Sequence, residues 1–448
     1  MSERTASFPP AFLDMMRRQL GPAFPDFLQA MGEGGQRSRA LRINPLRAGA
    51  EAASAPYCES PVPWAQYGRY IRPDTRPGAS LAHFSGAFYM QEASAMSPAA
   101  VLDAQPGERV LDLCAAPGGK ASQIAAALRG KGTLVANEPE PERSRMLAGN
   151  LERLGVVNAV VTCVLPDRLR AALPDWFDAV LVDAPCSGEG MFARDPAARA
   201  EWTEASPAGC AKRQAEILDA AAGLVRPGGR LVYSTCTFNE LENEGSVRGF
   251  LQRHPDFFAE DFALPGLGRS TDGMLRVYPH LVRGDGHFVA RLRRKAGERA
   301  AAPVPPRSDP EAPALVRRLL EEAVRALPLD AEGCRFSLRG DRLFALPGEF
   351  PEPRGVKLVQ PGLCLLRAGR SHIEPAHSLA MALPPELARR QAELGPEEAA
   401  SWCVGNELTS AGEKGWVWVT CAGLPLGWGK RSGDALKNHL PKGLRRRQ

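Results

Sequence analysis

No stretch of the sequence approaches the ~18 consecutive apolar residues that read as a membrane span, so none is expected. The opening MSERTASFPPAFLDMMRRQLG has charges and prolines where a secretory leader needs an apolar centre, so the expected location is the cytoplasm. None of the ten cysteines forms a Cys-x2-Cys pair, which removes the usual structural zinc pattern, and no metal is expected. Internal repeats are lacking, which sets aside a solenoid. The one Gly-rich turn of note, Cys114-Ala115-Ala116-Pro117-Gly118-Gly119-Lys120-Ala121, has neither the first glycine nor the Ser/Thr of a Walker loop. It is not G-x-G-x-x-G either, which speaks against a dinucleotide and a dehydrogenase.

What is present is an alternation of short β-branched runs and longer amphipathic ones over 101–294. Strands are expected near 109–114, 132–137, 158–163, 178–183 and 229–234, with a late strand at 288–294. Helices are expected over 119–129, 141–154, 208–225 and 240–253. That order predicts an α/β fold with a parallel sheet covered by helices on both faces. Residues 1–100 read as a mixed segment, helical over 10–31 and strand-like over 38–46. The Pro/Ala-rich stretch 295–314 reads as an extended linker. Residues 315–448 read as one further β-rich barrel or sandwich, with strands in 357–369 and 415–430. As a separate module, 315–448 should be removable at the expense of RNA binding but without loss of cofactor affinity.

Three features converge on one crevice. The turn Ala115–Lys120 follows the first expected core strand and opens a helix, an arrangement that lets a ligand approach the backbone. Glu138 closes the next strand about 20 residues on, where an acidic side chain can hold ribose hydroxyls, so an adenosine-type cofactor is expected. Asp183, Cys186 and Cys236 stand at or just beyond the carboxyl ends of two further strands, where open parallel sheets bind their ligands. A lone cysteine is more often a small core residue, but two of them in Pro/Gly-rich turns at one crevice point to covalent chemistry. A thiolate needs a cationic or dipolar neighbour, and Lys120 is the candidate.

Taken together, DLCAAPGGK, DAPCSGEG and YSTCTF resemble the RNA cytosine-5 methyltransferases of the Nop/Sun family. FYMQEASAM (88–96), YPH and GDGHFVARL (278–292) and LRINPLR (41–47) are similar to further segments of that family. The tail GWVWVTCAGLPLGWGK, followed by LKNHLPKGLR, resembles the bacterial branch that modifies 16S ribosomal RNA. The resemblance implies a Rossmann-like S-adenosylmethionine-dependent core, an N-terminal α/β RNA-binding segment and a C-terminal β-rich, PUA-like RNA-binding module. It implies cofactor contacts from Cys114, Ala115, Ala116, Pro117, Gly118, Gly119, Lys120, Glu138, Arg143 and Asp183. Where the family often carries a polar residue near the adenine, this chain has Cys163, and Thr162 or Asp167 are the substitutes. The resemblance further implies that Cys236 attacks cytosine C6 and that Cys186 assists release. DNA cytosine-5 methyltransferases instead use the cysteine of a Pro-Cys turn, and by that analogy Cys186 would attack. Asp183 is the candidate partner for N3 of the ring.

The net charge of +5 is mild, but from Gly427 to Gln448 there are seven basic residues against one acidic. Arg42, Asn44, Lys430, Lys437, Lys442 and Arg445–Arg447 are the expected RNA contacts, on 16S rRNA or the 30S subunit, by a monomer. Trp416, Trp418 and Trp428 could stack on bases, although spacing by two favours a shared buried face for Trp416 and Trp418. A tRNA substrate, or a non-catalytic ribosome-assembly role, are the competing readings.

Overall fold

Alternation at period two buries both faces of the central strands, and two cores result. Leu111, Val135, Val180 and Val182 point to one side of the sheet, with Trp176, Leu218 and Phe250. Val110, Leu134, Ala136, Ala179 and Leu181 point to the other, with Ile124, Leu147 and Leu151. The structure is a computed structural model that describes residues 8–32, 39–298, 303–330 and 333–446.

The core strands are Arg109–Asp112, Thr133–Asn137, Ala159–Thr162, Phe177–Asp183 and Val225–Thr235, all parallel, with His287–Arg294 antiparallel beside the fifth. The first strand lies between the second and the fourth. The chain therefore reverses direction across the sheet at this point, and a crevice opens beyond the carboxyl ends of the first and fourth strands. Helices Gly119–Leu128, Pro141–Arg153, Ser206–Ala222 and Glu244–Arg253 cover the faces, within a few residues of the expected spans.

The N-terminal helices Pro10–Leu20 and Phe24–Met31 bring Phe12 and Phe27 against Phe192 and Phe238, which lie on the loops that follow Cys186 and Cys236. A four-stranded antiparallel sheet (Ala40–Ile43, Cys58–Pro61, Gly68–Ile71, Phe88–Met90) completes this part.

The C-terminal region is β-rich, as expected of a barrel or sandwich. It holds two sheets, one of four strands within 334–375 and one of five within 391–438. They share a core in which Trp416, Trp418 and Trp428 pack with Leu343 and Leu363, while Val417 and Val419 face the other way. The three tryptophans are thus buried and not available for base stacking. The expected linker is shorter than read, because a helix begins at Ala312 with Pro313 in its first turn, where a missing N–H costs nothing.

Removability of 315–448 is not supported. Leu358–Gln360 adds an antiparallel strand to Ala159–Thr162, and Phe350 is fully buried against Trp176 in the catalytic-half core. Gly155, at φ +72°, lets the carbonyl of Met381 approach so closely that a Cβ would stand 2.5 Å from it. Deleting 315–448 should therefore leave an unpaired sheet edge and an open core. We expect that truncation to lower the thermal midpoint, promote aggregation and weaken cofactor binding. A truncated chain with full-length cofactor affinity by calorimetry and no light scattering would refute this.

Candidate active site

The crevice beyond the first and fourth strands encloses about 490 Å³ and is lined by Cys114, Ala116, Glu138, Arg143, Asp167, Asp183, Cys186 and Cys236, among others. A second cavity of about 210 Å³ shares Cys114, Ala116 and Asp183 with it and adds Asp112, Ala115, Pro117, Gly119 and Lys120. The structure thus brings the sequence-derived cofactor and cysteine residues into adjoining space.

The turn is held from three sides. Gly118 takes φ +115°, a conformation that disfavours any side chain, and the helix starts at Gly119. The Ala115 amide donates to the Asn137 carbonyl at 2.9 Å. Asn137 itself is fully buried: its Nδ2 donates to Leu113 and Val164 carbonyls, and its Oδ1 accepts from Thr162. It clamps the carboxyl ends of the first three strands. Thr162 is spent in this clamp, and Cys163 turns its thiol to the Pro139 carbonyl, so Asp167 is the polar group of that trio which lines the crevice.

Arg42 and Asn44 require a correction as RNA contacts. Arg42 is buried, donating to the Gly119 carbonyl at 2.7 Å, to Ser122 at 2.6 Å and to Gln91. Asn44 is buried and donates to the carbonyls of Gly86 and Leu154. Arg42 thus holds the start of the helix after the cofactor turn, and Asn44 holds the carboxyl end of the helix Pro141–Arg153. Lys437 and Lys442 are exposed, and Lys430, opposite Lys437 in register, lies over the Trp416 ring at 5.0 Å. None of the three lines the crevice. Arg445 and Arg446 donate to main-chain carbonyls of Leu440 and Ser80, and Arg447 lies outside the described residues.

The fourth strand ends in Asp183. Its Oδ2 meets Lys120 Nζ at 2.7 Å, its Oδ1 accepts from Ser234 at 2.8 Å, and His287 Nε2 stands 3.6 Å away. Burial opposes its ionisation, but Lys120 and His287 outweigh burial and hold the carboxyl well below the usual carboxylate range. Glu138 is buried with its carboxylate 3.3 Å from Arg143 at the crevice wall.

Cys186 and Cys236 meet with their Sγ atoms 3.4 Å apart. The hydrogen bond with Cys236, burial and the negative charge of Glu242 push the Cys186 thiol well above its ordinary range. Cys236 lies on the side of Lys120, near enough for the two to interact electrostatically.

Asp112 was not anticipated from sequence. Its side chain is fully buried at the end of the first strand, with neither oxygen in hydrogen-bond geometry, although the Cys114 amide points towards it. Burial, followed by repulsion from Asp183, pushes its pKa up to about 8. Asp183 and Glu138 place carboxylates on the crevice, which suits a nucleoside carrying a sulfonium and an ammonium group, while Asp112 lines the adjoining cavity as a carboxyl pushed towards its neutral form. Among the described residues no cluster has the makings of a metal site.

The sign of the Asp112 effect on stability follows from the shift. The unfolded carboxyl ionises near 3.8 and the folded one near 8, so between these values the folded chain holds a proton that the unfolded chain lacks. Its contribution to stability therefore falls as pH rises through that window. Asp112→Asn should remove this slope, changing the wild-type-minus-variant difference by more than about 1 kcal/mol between pH 4 and 8 in urea melts. Parallel curves would sink the assignment.

Four family models cover most of the chain. "16S rRNA methyltransferase RsmB/F" matches 99–293, and "N-terminal domain of 16S rRNA methyltransferase RsmF" matches 8–93. "RsmF rRNA methyltransferase first C-terminal domain" matches 321–383, and "Methyltransferase RsmF PUA domain" matches 389–446. Curated relatives named ribosomal RNA small subunit methyltransferase F, from Citrobacter koseri and from Escherichia coli O17:K52:H18, are each 35% identical, over 99% of this chain and 98% of theirs. Among solved structures, a methyltransferase homolog from Pyrococcus horikoshii is 28% identical with a TM-score of 0.53, over 64% of this chain and 99% of that one. NSun6 from the same organism, solved with SFG, is 22% identical with a TM-score of 0.57, over 65% and 99%.

Proposed function

The chain belongs to the RsmB/F family of 16S rRNA methyltransferases, and from that premise we propose that it methylates C5 of a cytosine in 16S rRNA through a covalent bond between Cys236 and C6 of the base. S-adenosylmethionine is the cofactor, and when bound it supplies an electrophilic methyl group. The backbone of Ala115–Gly119, the carboxylate of Glu138, the buried carboxyl of Asp112, and Arg143 at the rim are the groups of this chain that would hold it.

Cytosine C5 is too weak a nucleophile to be methylated unaided, and addition of a thiolate to C6 makes it enamine-like. The observation that carries the proposal is the pair of thiols 3.4 Å apart, on a crevice that also presents Asp183 and the cofactor turn. Asp183, held ionised by Lys120, accepts hydrogen bonds. Opposite the N3 edge it would favour a protonated ring, which makes C6 more electrophilic. The unequal surroundings of the two thiols favour Cys236 as the attacking group, with Glu242 on the side of Cys186 and Lys120 on the side of Cys236. Cys186 stays protonated during the attack. Once the Cys236 sulfur is bonded to C6 it no longer holds that proton in place, so Cys186 gives it up to solvent and, as a thiolate, takes the C5 proton. The C5–C6 double bond then re-forms and the C6–S bond breaks to return the Cys236 thiolate. The target must be unstacked to reach the thiols, so a single-stranded or flipped cytosine is the expected substrate. The C-terminal lysines Lys430, Lys437 and Lys442 serve RNA binding outside the crevice. The enzyme acts as a cytoplasmic monomer in this reading.

Labelled methyl transfer to 30S subunits, free 16S rRNA and bulk tRNA, with mapping of 5-methylcytosine, tests the substrate. Label in 16S rRNA is expected, and label in tRNA alone would overturn it. Cys236→Ala should abolish methylation without a stable adduct, whereas Cys186→Ala should accumulate a covalent RNA–protein species on denaturing gels. An adduct formed by Cys236→Ala would exchange the two roles.

A further inference from the structure

Behind the two cysteine turns lies a carboxylate that the chemistry above does not use. Glu242 is fully buried, two residues before the helix that follows the fifth strand. It accepts from the Ser187 amide at 3.0 Å, from the Ser187 hydroxyl, from Gln214 Nε2 at 2.7 Å and from Asn239 Nδ2 at 2.7 Å. The two amide orientations are fixed from their other ends. Gln214 Oε1 accepts from the Tyr233 hydroxyl at 2.9 Å, and Asn239 Oδ1 accepts from the Glu242 amide at 2.9 Å. Burial moves the Glu242 pKa above the usual carboxylate range, and the donors from Ser187, Asn239 and Gln214 oppose that shift, being the set that suits an ionised carboxylate and not a carboxylic acid. No Lys, Arg or His among the described residues stands within ion-pair distance of it, so its charge is solvated by neutral dipoles and not cancelled.

Two of the three donor residues belong to the segments that carry the thiols, and the third, on the helix Ser206–Ala222, is tied to one of them. Ser187 follows Cys186, Asn239 lies three residues beyond Cys236, and Gln214 also donates to the Pro185 carbonyl at 3.0 Å. The Ser187 hydroxyl meets Thr237 at 2.8 Å, which joins the two turns directly. Glu189 reinforces the join by accepting from the amides of Phe238 and Asn239, and the Gly190 amide donates to the Cys236 carbonyl at 2.8 Å.

We infer that Glu242 is a positioning residue that sets the distance between the two thiols and, through its uncancelled charge, assigns the thiolate to Cys236 and the protonated thiol to Cys186. The inference rests on the covalent reading of the two cysteines. A negative charge behind Cys186 disfavours a second one on its sulfur, while Cys236 stands near Lys120, whose charge it shares with Asp183. The groups facing Cys186 are Cys236, Glu242 and the phenol of Tyr233. Without Glu242 the two thiols would differ less, so Cys236 would hold the thiolate less often during attack and Cys186 would be a weaker base for the C5 proton at release.

The test reads thiol reactivity in the full-length protein without RNA, so it does not depend on the RNA substrate. Under limiting iodoacetamide at about pH 7.5, with peptide mass spectrometry as readout, Cys236 should be alkylated about ten-fold faster than Cys186. Equal or reversed rates in the wild type overturn the inference whatever any variant does. In Glu242→Gln the gap should narrow several-fold, with the Cys186 pH profile moving to lower pH, and Glu242→Asp should restore much of the gap. Under turnover, Glu242→Gln should lower kcat with little change in KM for RNA or in cofactor affinity. A folded Glu242→Gln with the wild-type alkylation ratio would reduce Glu242 to a structural role. A wild type with the expected ratio but no trappable RNA adduct would instead count against the covalent reading.

Discussion

The ion pair of Lys120 and Asp183 is the constraint around which the crevice is organised. Lys120 leaves the first turn of the helix after the cofactor loop, and Asp183 ends the fourth strand, so their 2.7 Å contact fixes the loop against the sheet. Removing either partner would strand a poorly solvated charge, an outcome more costly than the pair itself is favourable. The same carboxylate takes a hydrogen bond from Ser234 on the fifth strand and approaches His287 on the antiparallel strand beside it. One side chain thus registers four elements at the edge where the two cysteine turns begin.

Four carboxyl groups in this site show different answers to the cost of burial. Asp183 is kept charged by cations. Glu242 and Glu189 are surrounded by neutral donors from amides and hydroxyls. Asp112 has no partner of either kind and is pushed towards the neutral form. The difference follows from position. Asp183 opens onto the crevice, the glutamates lie behind the turns where side-chain amides are at hand, and Asp112 lies between apolar strands and the loop.

The core sheet was legible because its strands are short, β-branched and separated by helical periods, and the observed spans lie within a few residues of the expected ones. The crevice was legible because parallel strands place their carboxyl ends together. Arg42 and Asn44 misled because a charged or amide side chain on a short strand reads as exposed. Here all four residues of Ala40–Ile43 are buried, since the sheet is covered on both faces. Gln214 and Glu242 gave no sequence signal either, as lone polar residues in or beside a helix usually face water. Leu358–Gln360 could not be read as part of the core, because three residues nearly two hundred positions from their partner carry no pairing information.

That last strand bears on how the chain is made. A ribosome delivers residues in order, and domains generally fold as units during synthesis. The strand Ala159–Thr162 emerges long before Leu358–Gln360, and Trp176 long before Phe350. For nearly two hundred residues of its synthesis the nascent chain therefore carries a sheet with one bare edge and an unfilled apolar pocket. Completion of the catalytic half waits for sequence that belongs to the C-terminal region, so a ribosome that stalls between the two releases a chain with strand edges open to other chains.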